Sequence, residues 1–465
     1  MNLKKKIAFL LIMVLMPVIS ACGNGITVEK DSTGKEQSPE NTSKNEKDDV
    51  VANGEKVTLE IMQYKPEIHE EMTAAINRYM ELYPNVTVSL DTTSASQREG
   101  SAYDKKIDNN KMPDIFNCAG AYAFEFYKDY LEDLTDEPWV EHANSGMLDL
   151  NIVDGRVYGL PMTTEGMGLI ANKAIFEAAG IDIRQMDNYE KIEKGFARLQ
   201  NAIEDGKLKD TYPNLKHVVA VQGDAEWVLG SHAINVCLSP EFDGDVFRCA
   251  DAKQVNFTFQ DAYKDYMELQ LKYSAAKDDY SKALDVDYDT AVQKLLAGGE
   301  VACIQQGNWI YKQVEKIDKN VAENLVYLPI PIKGYAEDCI FSIVPSYWCV
   351  NKQADEKVKE AAKHFLNWLY QSEEGKDIVV YKFGFTPVFD NYGDLKPSDS
   401  LTKNMMEFFE NGKGISMVFQ GCPGGEEYSQ KYFGREVKRV LNGEIDWDTL
   451  FQEAKNEWKK KASNR

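Results

Sequence analysis

Of the side chains that can carry catalysis, this sequence is rich in carboxylates, with 75 Asp and Glu against 53 Lys and Arg. A pair at the spacing of a glycosidase dyad arises by chance in such a chain, so the count decides nothing. There is no GxSxG elbow and no GxxxxGK[ST] phosphate loop. His69-Glu70 lacks the second histidine three residues on that a zinc-protease helix needs. The five histidines, at 69, 142, 217, 232 and 364, are scattered without ligand spacing. No metal or cofactor is implied, and the residue pattern argues against an enzyme.

The amino terminus carries chemistry of another kind. Lys4, Lys5 and Lys6 precede a continuous apolar run from Ile7 to Ile19, and small residues follow. That is the pattern of a secretory signal. The run is shorter than the roughly 20 apolar residues of a membrane span and contains Pro17. The next residues, Ile19-Ser20-Ala21-Cys22, resemble the lipobox of bacterial lipoproteins. On that resemblance Cys22 is lipidated, the signal (1–21) is removed, and the chain is held on the outer face of the cell membrane by acyl chains, palmitate among them. Ordinary signal cleavage, with Cys22 an incidental thiol, is the alternative.

Seven further cysteines stand at 118, 237, 249, 303, 339, 349 and 422. None has a CxxC neighbour, so zinc-ribbon and thioredoxin readings have no support. Cys237 and Cys249 are a candidate pair that spacing leaves open. The net charge of −22 argues against nucleic acid and anionic lipid headgroups as ligands.

Residues 22–55 form a polar segment with few large aliphatics and no aromatic residue, a composition that cannot bury enough surface to order itself. It reads as a tether. The body from Lys56 onward is longer than one core usually supports, so two domains are expected. Val57, Leu59 and Ile61 alternate as in a half-buried strand, and Met72, Ile76, Tyr79, Met80 and Tyr83 recur at helical spacing. Pro84-Asn85 ends that helix before a second alternating strand at Val86, Val88 and Leu90. Strand-helix-strand units build parallel sheets, whose ligands lie beyond the carboxyl ends of the strands. This places Tyr64, in the loop Gln63 to Glu67, and Tyr122 near a ligand. Further on, Pro113 to Phe116 reads as a short buried strand and Phe124 to Leu134 as an aromatic-rich helix.

The order of later segments is more specific. DGRVYGLP, GLIANK, AIFEAAGID, LLAGGEVACIQQGNWIY, LPIPIKG, SYWCVNK, AAKHFLNWLYQSEEGKDIV and FGFTPVF follow one another from Asp154 to Phe389. This succession is similar to that of the family-one extracellular solute-binding proteins, the maltodextrin-binding-protein-like group of carbohydrate importers. The resemblance implies a two-lobe α/β fold of the type II periplasmic-binding-protein kind, with a ligand cleft between lobes. Lobe 1 is expected over 56–163 and 329–384, lobe 2 over 164–328 and 385–465.

It also implies a carbohydrate ligand, capture by lobe closure, and delivery to the permease subunits of an ABC transporter, with the binding protein a monomer. A sugar ring offers flat apolar faces and a rim of hydroxyls, so its site needs aromatic plates and hydrogen-bonding side chains. Trp309 matches the family's cleft tryptophan, and Gly307-Asn308 before it favour a strand-to-helix turn that exposes the ring. Glu165 matches a hydroxyl-binding carboxylate. Trp348, Tyr347 and Trp227 correspond to ligand-lining segments, and Tyr432 matches near the last helices. Core packing is the alternative for each aromatic. An anchored glycoside-active enzyme and a non-transport sugar receptor or scaffold are the competing readings.

Overall fold

The structure, a computed structural model, describes residues 51, 54–93, 106 and 111–463. The signal, Cys22 and nearly all of the tether expected from the sequence lie outside the described residues.

The alternating strands form as their period requires. β1 (Val57–Gln63) and β2 (Val86–Thr92) run parallel, Val57 opposite Val86, joined by the helix His69–Leu82. Met72, Ala75, Ile76 and Tyr79 make the buried face of that helix. β3 (Ile115–Cys118) pairs parallel to β1. The expected helix from Phe124 to Leu134 is shorter and earlier, at Gly120–Phe126. Leu131 adopts an extended backbone there, because it bridges to Asn351 while burying its side chain. A small antiparallel hairpin, β4 (Ile152–Val153) and β5 (Arg156–Val157), leads to β6 (Leu160–Pro161).

The chain then crosses to a second sheet through residues 162–164. β7 (Glu165–Asn172) is buried along its whole length and forms the spine of that sheet. β8 (His217–Ala220) and β9 (Val301–Gly307) are parallel to each other, and β9 is antiparallel to β7. Along the other edge of β7, β10 (Leu325–Leu328) covers the carboxyl half and β11 (Ile340–Ile343) the amino half. β13 (Gly414–Ser416) closes the far edge beside β11. β12 (Tyr347–Val350) belongs to the first sheet, between β3 and β6. The sheet orders are therefore β2-β1-β3-β12-β6 and β13-β11-β7-β9-β8.

These pairings define two α/β lobes whose crossings differ from those expected. The return to the first lobe was expected near Pro329, where Pro329-Ile330-Pro331 punctuates the chain. Leu328, Ile330 and Ile332 instead pack in the second lobe's core, and β11 still pairs with β7, so the return lies between Ile343 and Tyr347. The last crossing was expected at residue 384. Phe385, Val388, Phe389 and Tyr392 remain in the first lobe's core, and Leu401 is the next residue in the second lobe's. Cys237 carries a free buried thiol that donates to the Ile234 carbonyl at 3.1 Å, so it forms no disulfide with Cys249.

Candidate functional site

The loop at the carboxyl end of β1 enters the space between the lobes. Tyr64 is 3% exposed, and its backbone N–H donates to Asn117 Oδ1 at 3.3 Å. Its hydroxyl donates to the Pro345 carbonyl at 2.8 Å, which ties β1 to the second crossing. Lys65 follows, buried, with its ammonium paired to Glu165 and 3.2 Å from a Glu67 oxygen. Burial alone would push the Lys65 ammonium down, but the carboxylates of Glu165 and Glu67 outweigh it and the net shift is upward. Glu165 is the first residue of β7, opposite Ile343 of β11, so the carboxylate stands where the chain leaves the first lobe.

Trp309 sits just beyond β9. Its indole N–H donates to Gln306 Oε1 at 3.0 Å, and the Gln306 amide donates to Gln222 Oε1 at 2.7 Å. Two buried glutamines thus set the plane of the ring. Gly307 has an extended backbone, with φ −123°, so a tight turn does not account for it. A Cβ there would lie 2.0 Å from Trp309 Cζ3, so the glycine makes room for the indole. Asn308 anchors the same turn by accepting from the Gly166 N–H at 3.1 Å.

Trp227 approaches from the second lobe. Its ring meets the His232 ring edge-on at 4.8 Å and Tyr288 at 5.4 Å, and His232 in turn lies 5.4 Å from Trp309. The Tyr288 hydroxyl is held by Gln313 Oε1 at 2.8 Å. Gly230 lets this segment press against the chain near Ser429, whose carbonyl a Cβ would approach to 2.0 Å.

Together these groups line an open cavity of about 800 Å³, with Phe419, Glu426 and Gln430 on its second-lobe side. Glu67, Glu165 and Trp309 also border an adjoining cavity that reaches Phe383 and Asp399, so they stand as a partition in a longer groove. Aromatic faces flanked by carboxylates and one ammonium suit a ligand with apolar faces and hydroxyl groups. Among the described residues no cluster of His, Cys, Asp and Glu is arranged to hold a metal ion, and no helix is long and apolar enough to cross a membrane.

The structure thus brings Trp309, Glu165, Trp227 and Tyr64 to one cavity and leaves four expected residues elsewhere. Trp348 is 1% exposed in the first lobe's core, its N–H donated to the Tyr370 hydroxyl at 3.1 Å. Tyr347 is also buried, its ring against Phe124. Both lie in β12, a central strand whose every side chain is covered. Tyr122 is exposed and stacks on Phe126, away from this cavity. Tyr432 stacks on Tyr428 at 5.7 Å and packs against the second lobe's core, where burial pushes its hydroxyl up to about 12. Lys65, Glu67, His232, Tyr288 and Gln313 were not singled out from the sequence. Only Lys65 and Glu67 carried a signal, through their place in the loop after β1.

Residues 74–406 match the family described as bacterial extracellular solute-binding protein. The xylose/arabinose-binding protein XacG of Haloferax volcanii is 24% identical over 274 residues, 56% of this chain and 55% of that relative. This chain thus spans about half the length of the relative it matches. Among solved structures, a chitin oligosaccharide binding protein superposes with a TM-score of 0.68 at 18% identity, covering 88% of this chain and all of that one. The SBP RafE in complex with raffinose gives 0.67 at 15% identity, over 87% of this chain and 99% of that one. At such identities the likeness is one of fold, and it is to proteins of two lobes. The match across most of the folded body makes the assignment: the chain belongs to the bacterial extracellular solute-binding proteins.

Proposed function

We propose that this chain captures a carbohydrate in the cavity between its lobes and delivers it to the membrane permease of an ABC importer, without chemical turnover. The observation that carries the reading is the placement of Trp309 and Trp227 beside Lys65, Glu67 and Glu165 in one interlobe cavity. Aromatic plates serve the apolar faces of a sugar ring and charged side chains its hydroxyls. Names such as xylose/arabinose-binding and chitin oligosaccharide binding among its relatives support the same class of ligand.

The protein works outside the cytoplasm, as its family description states. We assign its attachment to acylation of Cys22, on the apolar run and small residues before it, and expect a monomer. Mass spectrometry of the mature amino terminus checks the anchor. An unmodified Cys22, or cleavage elsewhere, would reject it.

The function is tested by a thermal-shift screen against mono- and oligosaccharides, then calorimetry on the hits. A ligand at 100 times its Kd adds about 2.7 kcal/mol of stability. Chromatography after prolonged incubation should return the sugar intact. Cleaved product would replace a binding role by a catalytic one, and a screen without any sugar hit would remove the carbohydrate assignment.

A further inference from the structure

The first cavity, that of Trp309 and Glu165, has a neighbour on each side. One is the cavity toward Phe383 and Asp399, with which it shares Glu67, Glu165 and Trp309 as walls. The other lies beyond Phe419 and Glu426, which border both it and the first. Among the described residues the two flanking cavities have no wall in common, so the first stands between them. Along the groove the volumes, open mouths included, are about 920, 800 and 780 Å³. A small-molecule site usually takes roughly 300–1,000 Å³, so the groove offers three such sites in succession.

Each flank carries aromatic rings that folding has left in water. In the cavity beyond Phe419, Tyr122 and Phe126 are 39% and 54% exposed and stack at 6.2 Å with their planes 26° apart. They stand four positions apart on the first lobe's helix Gly120–Phe126, a spacing that puts them on one face. The turn Gly424-Gly425 of the second lobe lines the same cavity. Both glycines have positive φ, and a Cβ on Gly425 would come to 3.4 Å from Tyr122 Cδ1, so the turn's backbone braces that ring. In the opposite cavity Tyr381 is 48% exposed. A single exposed ring needs no cause, but exposed rings at both ends of a ligand cleft, one pair of them stacked, do. Charged groups stand with each: Glu427 paired to Lys431 in the cavity of Tyr122, and Lys319 3.7 Å from Glu323 in that of Tyr381. Hydroxyl groups can both donate to and accept from such side chains. Carboxylates outnumber ammonium groups in all three cavities, which disfavours an anionic ligand.

We propose that the groove takes an uncharged oligosaccharide of at least three rings, one seated in each cavity. The inference rests on the carbohydrate reading of the first cavity and adds the length of the ligand and two flanking subsites. The middle ring lies at Trp309 and Trp227, one outer ring against Tyr122 and Phe126, and the other against Tyr381. Affinity therefore grows with chain length, because each further ring is already held near its cavity by the one before it. Aromatic faces accept a sugar's apolar side without demanding one pattern of hydroxyls, so the flanks select for length and the first cavity for identity.

The test uses the purified chain with the malto-, xylo-, cello- and manno-oligosaccharide series, each from monosaccharide to tetrasaccharide, read by calorimetry and saturation-transfer NMR. Trigalacturonate is the anionic control. In at least one series the trisaccharide should bind at least about tenfold more tightly than the monosaccharide, and trigalacturonate should bind far more weakly. The double variant Tyr122→Ala/Phe126→Ala and the single variant Tyr381→Ala truncate exposed rings, so both should keep the melting temperature of the wild type. Each should weaken the trisaccharide about tenfold, the loss of one stacked face, and leave the monosaccharide within about twofold. A monosaccharide bound as tightly as its trisaccharide, trisaccharide binding that survives either variant unchanged, or trigalacturonate bound as tightly as the neutral sugars overturns this inference and leaves the first cavity's assignment standing. Absence of binding by every member of the four series overturns both readings together.

Discussion

Lys65, in the loop after β1, and Glu165, at the start of β7, are 100 positions apart and form an ion pair whose side chains are 5% and 6% exposed. Glu67 shares the same ammonium at 3.2 Å, so one cation balances two carboxylates. Taking such charges out of water is costly, and removing one partner costs more still, because it leaves a buried charge uncompensated. Its position links the loop after β1 in the first lobe to the first crossing.

Lys65→Met should therefore destabilise the protein by about 3–5 kcal/mol, because the largely buried carboxylates of Glu165 and Glu67 lose the ammonium they share. The double variant Lys65→Met/Glu165→Gln should recover part of that loss, a coupling of roughly 0.5–3 kcal/mol. Denaturant unfolding of the two single variants and the double one measures both. Because the folded Lys65 titrates above its ordinary value, its contribution is fully present below the unfolded lysine value of about 10.4 and is lost only as pH rises through the folded value. Between neutrality and pH ~9.5 this contribution should not vary with pH.

Two tryptophans expected at the ligand should part company. Trp309→Ala should weaken ligand binding by roughly 2–4 kcal/mol with a small change in melting temperature, since the ring is only half-buried. Trp348→Ala should cost about 3–5 kcal/mol of folding stability, because its ring is core and its N–H holds Tyr370. Calorimetry and thermal melting of both variants give the comparison. Equal effects on stability would place Trp309 in the core as well.

Gly307→Ala should impair binding while every ring of the site remains in the sequence. The new methyl would meet both Trp309 Cζ3 at 2.0 Å and the Gly166 carbonyl at 2.5 Å, and the second atom is backbone that cannot turn aside. Displacement of the indole should appear as a shift in its fluorescence emission together with weakened affinity. Unchanged affinity would mean that the ring's plane does not matter to the ligand.

Charged pairs span the lobes at one rim of the groove. Lys312 lies 3.1 Å from Glu71 and Lys316 3.0 Å from Glu70, joining the helix Tyr311–Ile317 of the second lobe to the helix His69–Leu82 of the first. Reversing both lysines to glutamate should open the groove, seen as a larger radius of gyration in solution scattering of the ligand-free protein. Salt near 1 M, where the screening length falls to about 3 Å, should move the wild type the same way. A radius insensitive to both changes would show that the rim pairs do not hold the lobes.

The sequence by itself determined the local elements and much of their order. Period-two alternation at Val57 and Val86 specified parallel strands around an amphipathic helix, because side-chain direction along a strand or helix is a local property. It also located Trp309 beyond a buried strand and Lys65 in a loop at a strand's carboxyl end. Tertiary structure decided what these residues touch. Trp309 and Trp348 both adjoin strands, and their fates differ because β9 ends at the interlobe space while β12 is covered between β3 and β6. The prolines at 329 and 331 signalled a break, yet Ile330 and Ile332 stayed in the second lobe's core, where their N–H groups donate to the Cys339 and Ala336 carbonyls. The partnership of Lys65 with Glu165, and the separation of Tyr347 from the first cavity, rest on contacts between distant segments, and burial energy depends on which surfaces meet in space.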